Sequence, residues 1–426
     1  MARFLFTTWE GGGHVQPMLL VARDLSALGH AVLVLSDPCN APDAAALDVP
    51  FRAWTTAPFQ TGKTRDDDRL KDHEADNPLA VIQRLLDRVM TGPALAYAND
   101  TLAAIDAFAP DLVVSQELLL GPMAAAEAKD LPLALLAANI WSLPTMAGAP
   151  PFGAGMLPAA NDEERAMHAM VGQMSRTFFQ AGLPDLNVAR AALDLPLLGD
   201  VFDQLDVAKA ILLATSQAFD FAPSPLPAPF VHVGPYLADP AWVEPFAPPA
   251  GDAPLVVVSF SSLYQAQEAA LREIIAALGT LPVRGVVTTG PTIDPAEFEA
   301  PSNVAVVRSA PHGTLLEEAA LFVTHAGHGS TLRPLMAGVP LLCLPMGRDQ
   351  NDNAARVAHR GAGLTLPADA KARTIAAAVE RLLSEPDFKI QARTLGNAVR
   401  ADEAARSAAA SLETLAAGSA AAGART

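Results

Sequence analysis

LFVTHAGHGSTLRPLMAGVPLLCLPMGRDQNDN, the run from Leu321 to Asn353, chains together a buried strand, a small-residue loop, a helix start, a second strand and a polar terminus. The apolar residues Leu321 to Val323 read as a strand, and His325, Gly327 and Gly329 bring the backbone close to whatever sits at its carboxyl end. Ser330 and Thr331 open the next helix. Free N–H groups and the positive end of a helix macrodipole at that point favour a diphosphate, with Ser330, Thr331 and His325 adding side-chain donors. The anion needs no metal there. Glycines after a strand also serve as plain strand-to-helix turns, so the loop takes its weight from the residues around it.

Those residues resemble, in order and spacing and over nearly the whole chain, the glycosyltransferase family 1 that contains plant, animal and antibiotic-tailoring UDP- or dTDP-sugar transferases. In that family a His-x-Gly-x-x-Ser/Thr segment holds the diphosphate. Here His325, Gly327, Ser330 and Thr331 occupy it, and Asp349 and Gln350 match the Asp-Gln pair that binds the sugar hydroxyls. Upstream, VRSAPHGTLL matches the segment that packs on the nucleobase. Ala310 stands at the position whose backbone pairs with the pyrimidine, and Pro311 and His312 follow. Ser309 replaces a stacking Trp found in many members, and Arg333 fills the slot of a ribose-binding Glu. The resemblance therefore implies a UDP-sugar or a dTDP-sugar, since a deoxyribose would miss that Glu less.

At 426 residues with about half of them apolar, the chain exceeds what one core usually takes, so two domains are expected. Its 29 Lys and Arg against 46 Asp and Glu give a formal charge of −17, which argues against nucleic acid or an anionic membrane as a general partner. Cys39 and Cys343 have no metal-type neighbour at short spacing and read as reduced, structural thiols. The amino terminus, MARFLFTTWEGGGH, reads as a strand and not as a secretory segment, and no stretch approaches a membrane span. A soluble cytoplasmic protein with no integral membrane association is the expectation.

Along the chain, Phe4 to Trp9, Ala31 to Ser36, Leu112 to Ser115 and Leu133 to Ala137 read as strands, with helices over Pro17 to Leu28 and around Met123 to Ala128. That alternation predicts a parallel sheet with its ligand at the strands' carboxyl ends. Asp66 to Asp76 and the GAPPFGAG segment from Gly148 read as loops shaping an acceptor pocket. Prolines recur between Phe221 and Pro254 and mark a junction. Strands at Leu255 to Phe260, Gly285 to Thr288, Val304 to Val307, Leu321 to Thr324 and Leu341 to Leu344 follow. The fold class expected is α/β, in the GT-B arrangement that the resemblance implies, two Rossmann-like domains facing across a cleft. The boundaries are 1–221 for the acceptor domain, 222–254 for a linker carrying the first short strand of the second domain, 255–402 for the nucleotide-sugar domain, and 403–426 for a helix crossing back to the first domain with its tail.

On the reacting side, EGGGHVQP places His14 after a tight glycine turn and just before a helix. Sugar transfer to a hydroxyl needs a base within reach of the acceptor oxygen, and an imidazole titrates near working pH. The family's catalytic His matches His14, and Pro17 follows three residues later as in the family pattern. A carboxylate that fixes the imidazole's tautomer would assist it. The family's spacing lands on Gln116, one residue short of Glu117, and Glu117 is assigned to the role with Gln116 as substitute. Without a carboxylate, the acceptor would have to be acidic itself, as phenols are. Ser262 is assigned to the donor site and Trp141 to the acceptor pocket. His325 and His328 lie in a glycine loop with no third ligand evident, so no metal site and no cofactor beyond the co-substrate is expected. The reaction implied is single displacement with inversion onto a small hydrophobic, hydroxylated acceptor such as a polyphenol, polyketide or macrolide. The rival readings are a GT-B epimerase and an idle homologue that binds nucleotide or stabilises a partner.

Overall fold

The computed structural model describes residues 1–238, 243 and 246–423. Residues 239–242 and 244–245 of the expected linker, and 424–426 of the expected tail, lie outside the described residues. Seven parallel strands build the first sheet: β1 (Arg3–Thr7), β2 (Ala31–Ser36), β3 (Phe51–Ala53), β4 (Leu112–Ser115), β5 (Leu133–Ala137), β6 (Ala208–Leu213) and β7 (Phe230–His232). Their order is β3-β2-β1-β4-β5-β6-β7. Six more form the second: β8 (Leu255–Ser259), β9 (Arg284–Thr288), β10 (Val304–Val307), β11 (Ala319–Thr324), β12 (Leu341–Cys343) and β13 (Gly363–Thr365), in the order β10-β9-β8-β11-β12-β13. The central strands read LVVS, LALLA and LVVVS because helices cover both faces of a parallel sheet, so every position is buried.

In each sheet the order reverses between two neighbouring strands, β1 and β4 in the first and β8 and β11 in the second. A crevice opens at the carboxyl end of such a pair because the two following connections leave in opposite directions. Both glycine segments singled out in the sequence follow strands at these switch points.

The junction differs from expectation in one respect. Phe230–His232 joins the first sheet as its edge, with Ile211 opposite Phe230 and Leu213 opposite His232, and does not open the second. A short apolar run among prolines carries no mark of which sheet it joins; an edge place suits it because prolines cannot donate to a central ladder. The Ala-rich tail is two helices, Pro386–Ala404 and Ala408–Gly423. At the break, the Ser407 amide donates to the Val233 carbonyl at 3.0 Å. The last helix then buries Ala408, Leu412 and Ala416 with Phe4, Phe6 and Met18 of the first domain, and Glu413 pairs with His30 at 2.8 Å.

Candidate active site

The turn after β1 places His14. Gly12 has φ of +85°, and a Cβ on Gly11 would stand 2.8 Å from both His14 Nδ1 and the Trp9 ring, so this turn accepts only glycine there. His14 is the N-cap residue of the helix Val15–Ala27, two residues earlier than Pro17 suggested, and its side chain makes no capping bond. Its Nδ1 has no hydrogen-bond partner among the described residues. Desolvation, and then the nearby Arg348 guanidinium, lower its pKa to about 4. The imidazole is therefore neutral at ordinary pH and holds a lone pair for a proton.

The expected carboxylate partner is not there. Gln116 and Glu117 do follow β4 beside the switch point, fully buried, but neither bonds His14. Gln116 folds its oxygen onto the Leu118 amide at 2.9 Å, closing its own turn. Neither Glu117 oxygen has a hydrogen-bond partner among the described residues, and burial pushes its pKa up to about 7 in spite of its own backbone amide and the Ser142 hydroxyl nearby. Spacing could put these residues at the right edge but could not fix their direction, because one step along an extended chain reverses the side chain.

On the facing side, β11 ends in the loop His325-Ala326-Gly327. Ala326 takes a left-handed φ of +69°. A Cβ on Gly327 would lie 2.5 Å from His325 Nε2, so the loop folds over the ring. Gly327 caps the helix His328–Met336 without a side chain, and of the first-turn amides that of His328 faces Asp349, which leaves those of Gly329 and Ser330 for an outside acceptor. Ser330 Oγ lies 2.8 Å from Thr324 Oγ1 and 3.0 Å from the Gly327 carbonyl, and Thr331 Oγ1 donates to that carbonyl at 2.9 Å. Gly329 sits in the first turn of this helix. His325 is buried against the Phe260 ring at 5.8 Å, with its pKa lowered to about 3 by desolvation and then by Arg348.

The Asp-Gln pair divides. Asp349 accepts from Asn353 Nδ2 at 2.8 Å and faces the His328 amide, yet burial still raises its pKa. Gln350 closes the loop before it: its oxygen accepts the Met346 and Gly347 amides at 2.7 and 3.2 Å, and its nitrogen donates to Gln265 at 3.0 Å. Ala310 is buried with Leu315 and Phe322, and His312 opens the helix His312–Glu318 with its ring edge-on to Phe322. Ser262 is exposed on the loop after β8. Trp141 is mainly core: it packs on Phe230 at 5.0 Å and donates to Thr145 at 2.9 Å, although it also lines a small crevice with Phe152, Asp352 and Arg356.

Two residues went unnoticed in the sequence. Arg348 reaches across the cleft, its Nε pairing with Asp72 Oδ2 at 2.5 Å and its Nη1 approaching the Gly11 carbonyl at 3.4 Å. Asp352 accepts the Gly153 and Gly155 amides at 2.6 and 2.9 Å, tying the GAPPFGAG loop to the helix Gln350–His359. A basic residue abutting Asp349 in an acidic chain was the available signal for the first. Nothing local marked the second.

The sequence profile described as UDP-glucoronosyl and UDP-glucosyl transferase matches residues 167–403, more than half of the chain. The chain belongs to this family. It is a glycosyltransferase, an enzyme that transfers sugars. The 4'-demethylrebeccamycin synthase of Lentzea aerocolonigenes is 28% identical over 414 residues, covering 95% of this chain and 97% of that protein. The oleandomycin glycosyltransferase of Streptomyces antibioticus is 28% identical, covering 80% and 74%. Among solved structures, the calicheamicin glycosyltransferase CalG4 superposes with a TM-score of 0.75 at 22% identity, covering 97% of this chain and 98% of that one. This likeness identifies the architecture as GT-B.

Proposed function

We propose that the enzyme moves a sugar, with inversion, from a UDP- or dTDP-sugar to a hydroxyl of a small amphipathic natural product, without a metal. The observation that carries this reading is the neutral His14, its Nδ1 unbonded among the described residues, at one switch point, opposite the diphosphate-type loop at the other. In the reaction the acceptor oxygen attacks the anomeric carbon as its proton passes to His14, and the diphosphate departs on the other face toward the first turn of the His328 helix. Asp349 orients the hexose. The oleandomycin enzyme is, by its name, a glycosyltransferase of oleandomycin, which supports the acceptor class.

A histidine with a pKa of about 4 and no carboxylate behind it is a weak base. The reading therefore favours acceptors that are themselves acidic, phenols before aliphatic alcohols. No described helix is long and apolar enough to cross a membrane, and the reading includes a cytoplasmic location. The test incubates the protein with α-configured UDP- and dTDP-glucose and matched phenolic and aliphatic acceptors, and assigns the product's anomeric centre by NMR. A β-glycoside formed faster on phenols is the expected result; an α-product, or equal rates on both classes, would refute it.

A further inference from the structure

Arg348 follows β12 in a left-handed backbone state, φ +56°, which a side chain with a Cβ rarely adopts unless its surroundings hold it there. Its side chain leaves the second domain for the first. Nε has a short ion pair with Asp72, Nη1 has one long contact with the Gly11 carbonyl, and Nη2 is shut off from solvent with no partner among the described residues. Asp72 Oδ1 is equally unbonded. A guanidinium presents paired N–H groups suited to two oxygens at once, and this one meets a single carboxylate oxygen squarely. Its two buried neighbours, His14 and His325, both feel its charge, which puts it between the turn after β1 and the loop after β11. Neither imidazole is protonated at neutral pH, so the positive charge at this point is that of Arg348.

We propose that Arg348 binds the diphosphate of the donor through its Nε and Nη2 edge, and that Asp72 holds Nε until the donor arrives. This rests on the nucleotide-sugar reading above. Donor binding exchanges the Asp72 carboxylate for phosphate oxygens, while the helix amides after Gly327 take others. During transfer a lone pair on the acceptor oxygen forms the new C–O bond. The acceptor's proton goes to His14, and the old C–O bond breaks with its electron pair moving to the β-phosphate oxygen. The charge gathering there is what Arg348 meets. Asp72 is thus a competitor of the substrate as well as a contact between domains, and the two roles predict opposite effects on binding.

The test is calorimetric titration of UDP and dTDP, and of uridine and thymidine as controls, into wild-type protein, Arg348→Met, Asp72→Asn and the double variant, with circular dichroism to check folding. Arg348→Met should weaken diphosphate binding about tenfold or more and leave the nucleoside unchanged, since a lost charge-assisted pair is worth that factor. Asp72→Asn should tighten diphosphate binding several-fold, and this gain should vanish on the Arg348→Met background. Should Arg348→Met fail to fold, Arg348→Lys keeps the charge without the fork and should show a smaller loss of the same sign. Equal binding by wild type and Arg348→Met, or weaker binding by Asp72→Asn, overturns the assignment of Arg348 alone. Wild-type protein that binds neither diphosphate overturns the donor reading and this inference with it.

Discussion

Replacing Glu117 by Gln separates two ideas about this residue, a catalytic partner of His14 or a buried acid left to itself. Its folded pKa of about 7 stands above the 4.5 of an exposed Glu because burial disfavours the anion. For a carboxylic acid whose folded value is raised, the folded chain loses stability as pH climbs from the unfolded value toward the folded one: the unfolded chain ionises freely while the folded chain keeps its proton. Above pH 7 the deficit is constant. With 1.36 kcal/mol per unit, it grows by about 2.5 kcal/mol between about pH 5 and pH 8. Gln cannot ionise and escapes this loss. It brings an unmatched buried amide, which costs about 1–3 kcal/mol at either pH. The variant's stability relative to wild type should therefore improve by about 2.5 kcal/mol between the two pH values, whatever its absolute sign. The buried histidines titrate in both proteins and cancel. Equilibrium urea unfolding at the two pH values measures this, and turnover on a phenolic acceptor should change by less than about threefold. A pH-independent difference would show that the acid has found a partner. A fall in turnover of the order of a thousandfold would restore the pairing with His14.

His14→Ala should lower turnover by about 10²–10⁴ while leaving UDP or dTDP binding intact, read by steady-state rates and calorimetry. In wild type the acid limb of kcat/KM should fall near pH 4 and not near 6.5, because desolvation and Arg348 hold the imidazole neutral, and Arg348→Met should move that limb upward. Asp352→Ala removes the acceptor of the Gly153 and Gly155 amides and should raise the acceptor KM with little change in donor affinity, measured with both substrates varied. Gly396→Ala should destabilise the second domain by about 3 kcal/mol in a denaturant melt. A Cβ there would lie 1.7 Å from the Leu335 carbonyl oxygen, where the helices Pro386–Ala404 and His328–Met336 meet.

The architecture was legible because parallel strands buried on both faces leave continuous apolar runs, as LFVT and LVVVS do, and because the glycine turns sit where switch points need them. The strands missed, Phe51–Ala53, Ala208–Leu213 and Gly363–Thr365, are short or alternate with Ala and Lys. At the site, residues fixed by the backbone itself were readable: His14 after its glycines, and Gly327 through Thr331 at a helix start. Residues whose role depends on a side chain crossing between domains were not. Glu117 and Gln350 stand at the predicted places, but one points into a sealed interior and the other closes its own loop. Arg348 and Asp352 act on groups hundreds of residues away, a relation no local pattern encodes.

The chain passes between the two domains twice, and the crossings lie side by side. The Ser407 amide meets the Val233 carbonyl, a Cβ on Gly234 would stand 2.4 Å from the Asp402 carbonyl oxygen, and Asp402 accepts from Ser216 Oγ at 2.6 Å. Two adjacent tethers behave like the spine of a book. They permit the halves to swing about one line and resist sliding or twisting. Arg348 with Asp72 and Asp352 with Gly153 join the same two halves, so a swing about that line loads both contacts. Cutting the chain before Ala408 would leave a single thread in place of the spine, and the two pages would no longer be bound to meet in register.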